Sequence, residues 1–545
     1  MKKIKKWGIG LLLIFTSLVS VGFQSDFFQI AKQIDIYTTL FKEVNKFYID
    51  EVDPTELTSK SIRHMLKNLD PYTVYFDAET VESARISNAG QFGSIGAETQ
   101  FNEEALVIRK IAKDAPAESA GLKIGDQILK IGNLSIKDFG EDSASLLNGM
   151  PNTEVSLTVL RENKTFEVLV TRSKSDNNPV PYYTMLNDEV GYIAFTVFNQ
   201  QAFNSVKAAF LELKDEGMQK VIIDVRGNPG GLLGEAVRIS NMFLPKDQVI
   251  VKTLSKVETQ SETFKTRQEP LDLEIPVAIL INNRSASASE ILSGSLQDYD
   301  RAVIVGERSF GKGLVQQYRE LSYGAQMKIT ISKYYTPSGR CIQELDYTNM
   351  DDDGNVPKFS DKERPAYKTS KGRTVYGGGG IEPDLTIDRP KMTKTTEALL
   401  YSDAFFNYVN SYFYEHPSIA AAEEFSLNVN DYKAFESYLE KHNEDFLTPT
   451  EKKYLEVLDF SKEEGLGKSD SKSFDQLLAA IRKDKFNELQ KNQKFILEEL
   501  EAEILQRYYY QEGVFKQKAS KDETIKQAIN LLMSTSKYQS ILKQG

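Results

Sequence analysis

The spacing of apolar residues along the chain predicts four regions. Over 26–88 apolar residues recur at helical spacing, and over 90–173 short apolar runs alternate with turn residues, which predicts a small helical unit followed by a compact β-rich module. Over 190–387 strands alternate with helices, which indicates a layered α/β domain with a largely parallel central sheet. From 391 onward glycine and proline are scarce and the apolar positions fit one helix face. We therefore predict a multidomain α+β protein.

The first residues have the pattern of an export signal. Four lysines precede an apolar run from Trp7 to Phe23, and Ser20–Gly22 forms a small-x-small cleavage site. The run is at the short limit for crossing a bilayer, so we favour a removed signal peptide over 1–23 and keep a retained N-terminal anchor as the alternative. Both interpretations place the working protein in the periplasm or cell envelope.

Composition and charge exclude several classes of function. The chain carries 67 Lys and Arg against 78 Asp and Glu, and its net charge of -11 opposes broad binding to nucleic acid or anionic lipid. The single cysteine, Cys341, cannot form an internal disulfide, and three histidines are too few for a structural zinc cluster. His64, His416 and His442 all lie outside the α/β region, which argues against a Ser-His-Asp or Cys-His site there. We expect no metal and no cofactor.

Three segments that follow apolar strands carry candidate chemistry. The first is 285–290, Ser-Ala-Ser-Ala-Ser-Glu, at a predicted strand-to-helix turn. A serine there lies at a helix N-terminus, where free backbone N–H groups favour a developing oxyanion, although serine is also a common helix cap. The second is 224–231, Asp-Val-Arg-Gly-Asn-Pro-Gly-Gly, whose last two glycines either donate N–H groups to an oxyanion or form a tight loop.

The third segment, 306–313, matches most of a phosphate-binding loop. Gly313 stands where such a loop requires a Mg²⁺-binding hydroxyl, and the following residues have the pattern of strands instead of a helix. A lysine between two glycines has another use, because desolvation lowers its pKa and lets it act as general base to a serine. Lys312 is therefore a candidate base, with an exposed surface lysine as the alternative.

Together these segments resemble the C-terminal processing peptidases, also called tail-specific proteases. The resemblance covers roughly 35–387 and includes three further pieces, Leu69–Tyr72, Thr336–Arg340 and Gly380–Asp384. It implies an α/β protease core in which a serine nucleophile is activated by a lysine.

The resemblance also assigns roles to single residues. It implies that Ser287 is the nucleophile, that Lys312, 25 residues later, is its general base, and that Gln316 orients the lysine amine. The oxyanion donors would be the N–H of Ala288 and one from the pair Gly230 and Gly231.

The β-rich module resembles the PDZ domain of the same family. Its peptide-binding loop would be Gly93, Ser94, Ile95 and Gly96, whose N–H groups capture the carboxylate of a peptide added as an edge strand; a module that serves only as a spacer is the alternative. The predicted division is a signal peptide over 1–23, an N-terminal helical region over 24–89, a PDZ domain over 90–174, an α/β Ser-Lys protease core with a layered central sheet over 175–389, and a C-terminal helical domain over 390–545.

Two stretches depart from the family pattern. A polar insertion over 344–373 contains the start of a calcium-binding loop at 349–354, but position twelve would be Ser360 and not the required glutamate, so we expect no calcium site. The helical region after 390 lies outside the shared core. Shielding, oligomerisation and adaptor docking all stay open as its role.

The sequence therefore predicts an exported, metal-independent serine endopeptidase that recognises protein C-termini through a PDZ domain and hydrolyses peptide bonds with a Ser-Lys dyad. The resemblance implies substrates with apolar C-terminal residues, and we expect a PDZ-bound peptide to favour the active arrangement. The expected partners are protein or peptide substrates bound by their C-termini, with an adaptor or a second copy as candidates for the C-terminal helices, and no nucleic acid. The alternatives are a non-catalytic PDZ peptide-binding scaffold that retains the protease fold, and an ATP-dependent protease, against which Gly313 argues.

Overall fold

The computed structural model describes residues 27–78, 81, 93–174, 178–351, 355–359, 364–387, 391–466 and 471–543. The predicted signal peptide over 1–23 lies outside these residues, and so do positions 352–354 and 360 of the calcium-like stretch. Among the helices that are described, none is both long enough and apolar enough to cross a bilayer.

A six-stranded sheet forms the centre of the α/β region, which confirms the predicted layered core. All neighbouring strands are parallel except the first pair, which is antiparallel. Alternate side chains of the inner strands enter two different apolar cores, one on each face of the sheet. In sheet order the strands are Tyr182–Met185, Val190–Ala194, Lys220–Asp224, Val277–Ile281, Ala302–Gly306 and Leu385–Thr386.

Helices cover both faces of this sheet. On one face the core is built by three helices that connect strands, Ala202–Asp215, Leu233–Ser240 and Ala288–Asp298. The other face packs against the last two helices of the chain, Glu523–Met533 and Thr535–Lys543. The end of the chain therefore contributes directly to the core of the central sheet.

A second, antiparallel sheet includes a strand from the N-terminal region. Residues 27–47 are helical, helix Pro54–Lys67 follows, and the chain then enters this sheet. Its path is Val74–Phe76, Gln326–Tyr335, Val249–Ser255 and Glu262–Lys265, and strand Leu314–Glu320 also pairs with Gln326–Tyr335. A small hairpin joins Ala366–Lys368 to Thr374–Tyr376, and 3-10 turns occur at Glu258–Gln260, Ser322–Gly324, Tyr347–Asn349 and Asn443–Asp445.

Residues 93–174 fold as a compact β-rich module, as predicted. Its antiparallel sheet runs in the order Ala97–Phe101, Leu106–Ile111, Gln127–Ile131, Glu154–Arg161 and Lys164–Thr171, with Leu134–Ser135 beside the third strand and a separate pair of Gly93–Ser94 and Ser173–Lys174. Helices Pro116–Ser119 and Ile136–Phe139 and the 3-10 segment Gly140–Leu147 complete the module. Within the described residues, strand Ala97–Phe101 has a partner on one side only, so its outer edge is open.

The C-terminal region is helical, as predicted. Before the two final helices it contains Lys394–Leu400, Ala404–Glu415, Val429–Lys441, Pro449–Glu463, Ser471–Gln490 and Gln493–Lys521. The longest of these is interrupted at Tyr510, where φ is 57° and ψ is -165°.

Polar contacts attach these helices to the β-rich module. Lys113 pairs with Glu512 at 2.7 Å, and Arg109 pairs with Asp403 at the same distance. The hydroxyl of Tyr510 donates a hydrogen bond to the carboxylate of Glu118. One helical region therefore contacts both the module and the central sheet.

Candidate active site

Ser287 occupies a strained turn between a central strand and a buried helix. It is the N-cap of helix Ala288–Asp298 and has φ 55° and ψ -111°. A positive φ is uncommon for a residue with a Cβ and is typical of the sharp turns that present a nucleophile. The turn is held on two sides, because Ser285 Oγ donates to the carbonyl of Val225 at 2.7 Å and Tyr334 Oη donates to the carbonyl of Ser287 at 3.2 Å.

Lys312 lies on the loop after the next strand of the sheet, between two glycines. Gly311 has φ +86°, and a Cβ there would lie 2.6 Å from Cβ of Glu344, so the loop requires glycine. The Lys312 ammonium lies 4.4 Å from the ring centroid of Tyr72. Burial, and then the charge of Lys328, lowers the pKa of Lys312. This is the direction that a general base requires.

Glu290 connects the turn at Ser287, the candidate nucleophile turn, to the loop at Lys312. Its carboxylate is fully buried, and Oε2 accepts hydrogen bonds from the backbone N–H groups of Ser287 at 2.7 Å and Lys312 at 2.9 Å. Oε1 accepts from the N–H of Gly311 at 2.7 Å and from Ser309 Oγ at 2.6 Å. Because two backbone nitrogens share one acceptor oxygen, Ser287 and Lys312 are held side by side. Burial raises the pKa of Glu290 to about 7, although its hydrogen bonds act in the opposite direction.

Backbone donors reach the nucleophile turn from the loop after the neighbouring strand. Gly230, at φ +96°, lies so close that a Cβ would be 2.6 Å from the carbonyl oxygen of Ala286 and 2.8 Å from the nitrogen of Ala288. The N–H of Gly230 donates to Asn228 Oδ1 at 2.9 Å. The N–H groups of Gly231 and Ala288 have no acceptor among the described residues, so these two are free donors.

Gln316 lies near this region but contacts a different partner. Its Nε2 donates to Thr330 Oγ1 at 3.2 Å, and the N–H of Thr330 donates to Thr73 Oγ1 at 3.2 Å. Throughout the described chain, Lys312 Nζ makes no hydrogen bond to Ser287 Oγ or to Gln316. The structure therefore brings the backbones of Ser287 and Lys312 together, while the lysine amine lies over the ring of Tyr72.

The predicted peptide-binding loop leads directly into the open edge of the β-rich module. Gly93 and Ser94 pair with the last strand of the module, and Ile95 is buried in its core. Gly96 has φ +71°, and a Cβ there would lie 2.5 Å from a neighbouring alanine side chain. The edge strand Ala97–Phe101 begins at the next residue, so a peptide added to that edge would end at this loop.

Sequence reasoning did not assign roles to Glu290 and Tyr72. The first had a usable signal, because Ser287 and Glu290 fit the capping-box pattern S-x-x-E, in which the glutamate accepts from the N–H of the capping serine. Tyr72 lies in the piece Leu69–Tyr72 that contributes to the resemblance, but no local pattern indicates its contact with Lys312, which lies in a distant part of the chain.

The assembled groups suit acyl transfer through a serine. They are a hydroxyl at a helix N-terminus, a desolvated amine and two free backbone N–H donors. In the described part of the chain, no three side chains of His, Cys, Asp or Glu are grouped so that they could hold a metal ion.

Comparison with protein families matches three parts of the chain. Residues 189–349 match peptidase family S41, residues 93–171 match the PDZ domain, and residues 395–532 match the C-terminal helical domain of probable PDZ-proteases. The β-rich module is therefore a PDZ domain, as the resemblance implied.

Two curated relatives and one solved structure are similar to this chain. A "Probable CtpA-like serine protease" of Staphylococcus aureus (strain COL) is 33% identical over 356 residues, which are 65% of this chain and 64% of that protein. Its counterpart in Staphylococcus haemolyticus is 31% identical over 357 residues, which are 62% of this chain and 71% of that protein. Among solved structures, the photosystem II D1 C-terminal processing protease is 25% identical with a TM-score of 0.38, covering 65% of this chain and 92% of that one. The matched region thus spans somewhat less than two thirds of the Staphylococcus aureus relative.

Proposed function

This chain belongs to peptidase family S41, and we propose that it is an exported serine endopeptidase that binds protein C-termini through its PDZ domain and cleaves peptide bonds with a Ser287–Lys312 dyad. The observation that carries the proposal is the shared acceptor. One buried oxygen of Glu290 accepts from the N–H groups of both residues, so the candidate nucleophile and the candidate base belong to one rigid unit.

In the proposed reaction, Lys312 acts first as a base and then as an acid. Neutral Lys312 takes the proton of Ser287 Oγ while that oxygen forms a bond to the scissile carbonyl carbon. The carbonyl oxygen becomes an oxyanion, which the N–H groups of Ala288 and Gly231 stabilise. Protonated Lys312 then donates its proton to the leaving nitrogen as the C–N bond breaks, and an ester on Ser287 remains. A water molecule deprotonated by Lys312 hydrolyses this ester, and Ser287 regains its proton.

Proton transfer requires the lysine side chain to move. Its ammonium lies on the face of Tyr72, which favours the charged form and holds the amine away from Ser287. We propose that the amine turns toward Ser287 in the active arrangement and that Gln316 orients it there. A peptide in the PDZ groove would favour this arrangement if it binds the active form more tightly.

Recognition of a C-terminus is supported by the open edge of the PDZ sheet. The loop from Gly93 to Gly96 precedes edge strand Ala97–Phe101, which is the arrangement used when a peptide adds a strand and its carboxylate meets backbone N–H groups. Export is supported by the sequence of 1–23.

The test is degradation of an unfolded reporter protein with an apolar C-terminal tail, with a chelator present and ATP absent. The full-length chain should cleave it, whereas folded Ser287→Ala and Lys312→Ala variants should not. Lys333→Ala is the matched control, because this exposed lysine lies on a neighbouring strand, and it should stay active. Tail binding without cleavage by the wild-type chain would instead support a peptide-binding scaffold.

A further inference from the structure

A buried ion cluster joins the C-terminal helices to the loop 226–231, which is the candidate oxyanion loop. The Arg226 guanidinium lies between two carboxylates: its Nε and Nη2 donate to Asp224 at 2.9 and 2.7 Å, and its Nη1 donates to both oxygens of Asp522 at 2.9 Å. The side chains of Arg226 and Asp522 are each only 10% exposed, and that of Asp224 is 3% exposed. Asp224 also accepts from the hydroxyl of Tyr192 at 2.9 Å. Charge-assisted bonds of this kind are strong and fix the orientation of a planar guanidinium.

Asp224, Arg226 and Asp522 come from two separate parts of the chain. Asp224 ends a central strand, and Arg226 stands two residues later, at the start of the loop that continues to Gly230 and Gly231. Asp522 belongs to the C-terminal helical region, where it follows the helix Gln493–Lys521. Its carboxylate also caps the next helix by accepting from a backbone N–H at 3.0 Å.

Asp522 therefore makes two sets of contacts. It caps the helix that follows it, and both of its carboxylate oxygens accept hydrogen bonds from Arg226. Without Asp522, Nη1 of the buried Arg226 guanidinium would lose both of its acceptor oxygens. A buried charge that loses its partner must either reorient or become hydrated. The loop beyond Arg226 packs within van der Waals contact of the nucleophile turn, as the position of Gly230 against Ala286 and Ala288 demonstrates. A shift of the guanidinium is thus transmitted over a few residues to the backbone beside Ser287.

We propose that Asp522 is a positioning residue of the peptidase, which orients Arg226 and thereby fixes the loop that presents the Gly231 N–H to the reacting carbonyl. The inference rests on the proposed function, and it makes the C-terminal helical region part of the catalytic unit. Asp522 touches no reacting atom, so its contribution appears in the rate of the chemical step and not in substrate binding.

The experiment compares full-length variants on a quenched fluorescent peptide. Asp522→Asn retains the helix cap, because Asn caps as well as Asp, but loses the negative charge facing Arg226. We expect kcat to fall about 10- to 100-fold while KM stays within about twofold, since misplacement of a catalytic group by a fraction of an ångström affects the transition state most. Asp403→Asn is the control, because it removes the carboxylate charge of a more exposed Asp–Arg pair that joins the same helical region to the PDZ domain, and it should leave both constants unchanged.

A double variant tests whether Asp522 acts through Arg226. If it does, Arg226→Gln/Asp522→Asn is no slower than Arg226→Gln alone, whereas fully additive losses would overturn the proposal. A folded Asp522→Asn variant with wild-type kcat would overturn it as well. If that variant does not fold, Arg226→Lys replaces it, because lysine keeps the charge but cannot bind both carboxylates as a fork. Wild-type kcat in Arg226→Lys contradicts the inference, and a lowered kcat supports it. Absence of cleavage by the wild-type chain would refute the proposed function itself.

Discussion

The buried carboxylate of Glu290 contributes to stability in a way that depends on pH, and replacing it by glutamine isolates that contribution. Glutamine can keep the acceptor oxygen toward the N–H groups of Ser287 and Lys312 and turn its NH₂ toward Ser309 and Gly311. The serine hydroxyl can accept from this NH₂, so the Gly311 N–H and the Ser309 O–H both lose the acceptor that Glu290 provides. Each unsatisfied buried donor costs about 1–3 kcal/mol, while the bonds that align Ser287 with Lys312 survive.

The pH dependence follows from the raised pKa of Glu290. Burial moves this pKa from 4.5 in the reference state to about 7 in the folded protein. A group with a raised folded pKa stabilises the fold below its unfolded pKa, and this stabilisation is lost as pH rises through the folded value. At about 1.4 kcal/mol per pH unit, the loss for Glu290 is about 3 kcal/mol, most of it between about pH 5 and pH 8. Glutamine does not titrate, so the variant should gain about 2–3 kcal/mol relative to wild type across that range.

The measurement is urea denaturation followed by circular dichroism at several pH values for both proteins. Contributions from titrating groups that Glu290 does not influence cancel in the difference between the two free energies of unfolding. Ser293→Ala, a buried polar change in the same helix that alters no titrating group, is the control and should give a difference that is independent of pH. A pH-independent difference for Glu290→Gln as well would refute the reasoning.

The same variant should change the pH dependence of catalysis. Charged Glu290 raises the pKa of Lys312, so removing the charge lowers that pKa and makes the neutral base available at lower pH. The acidic limb of the kcat/KM profile of Glu290→Gln should therefore move to lower pH. A limb that stays in place or moves upward would contradict a base role for Lys312 beside Glu290.

Three further predictions concern other parts of the site. Gly230→Ala should abolish activity, because its Cβ would lie 2.6 Å from a backbone oxygen of the nucleophile turn. Gly234→Ala is the control, because a Cβ there has open space in a helix. This variant should stay active, and its free energy of unfolding in urea should rise by about 0.5–1 kcal/mol. Tyr72→Leu removes the ring face that favours charged Lys312, so the acidic limb of kcat/KM should move down by up to about half a pH unit, and an upward shift would contradict this. Gly96→Ala should weaken binding of an apolar-tailed peptide about tenfold in fluorescence anisotropy, because its positive φ and close packing exclude a Cβ, while a short peptide without a tail is cleaved normally.

Local sequence patterns were sufficient to find the elements that meet at this site. Ser287, Gly230 and Lys312 each follow an apolar strand, and the three strands concerned are adjacent and parallel in the sheet. Because parallel strands end at one edge of a sheet, residues just beyond them meet there. The pattern could not decide between Gly230 and Gly231 as donor, since that depends on the side chain of Asn228, which occupies the Gly230 N–H.

Contacts between distant parts of the chain had no such signal. Arg226 and Asp522 are 296 positions apart, and each has an ordinary local role, in a loop and as a helix cap. The local sequence likewise does not indicate that Gln316 bonds to Thr330. This pairing is set by the register of the two strands and by a bulge beside Gln316. Such pairings depend on tertiary packing, which composition and periodicity do not encode.

The apolar pattern of two central strands nevertheless indicates that helices must cover both faces of the sheet. Strands Val277–Ile281 and Ala302–Gly306 are apolar at every position, and the structure buries every residue of both. A strand that is apolar throughout must be covered on both faces, whereas the helices that connect these strands pack on one. Helices Glu523–Met533 and Thr535–Lys543 cover the second face, and the hydroxyl of Tyr538 accepts a hydrogen bond from the N–H of Val277 at 3.0 Å. The two apolar strands thus require a cover that the α/β segment alone does not supply. This requirement explains why a helical region outside the protease segment lies beside the candidate oxyanion loop.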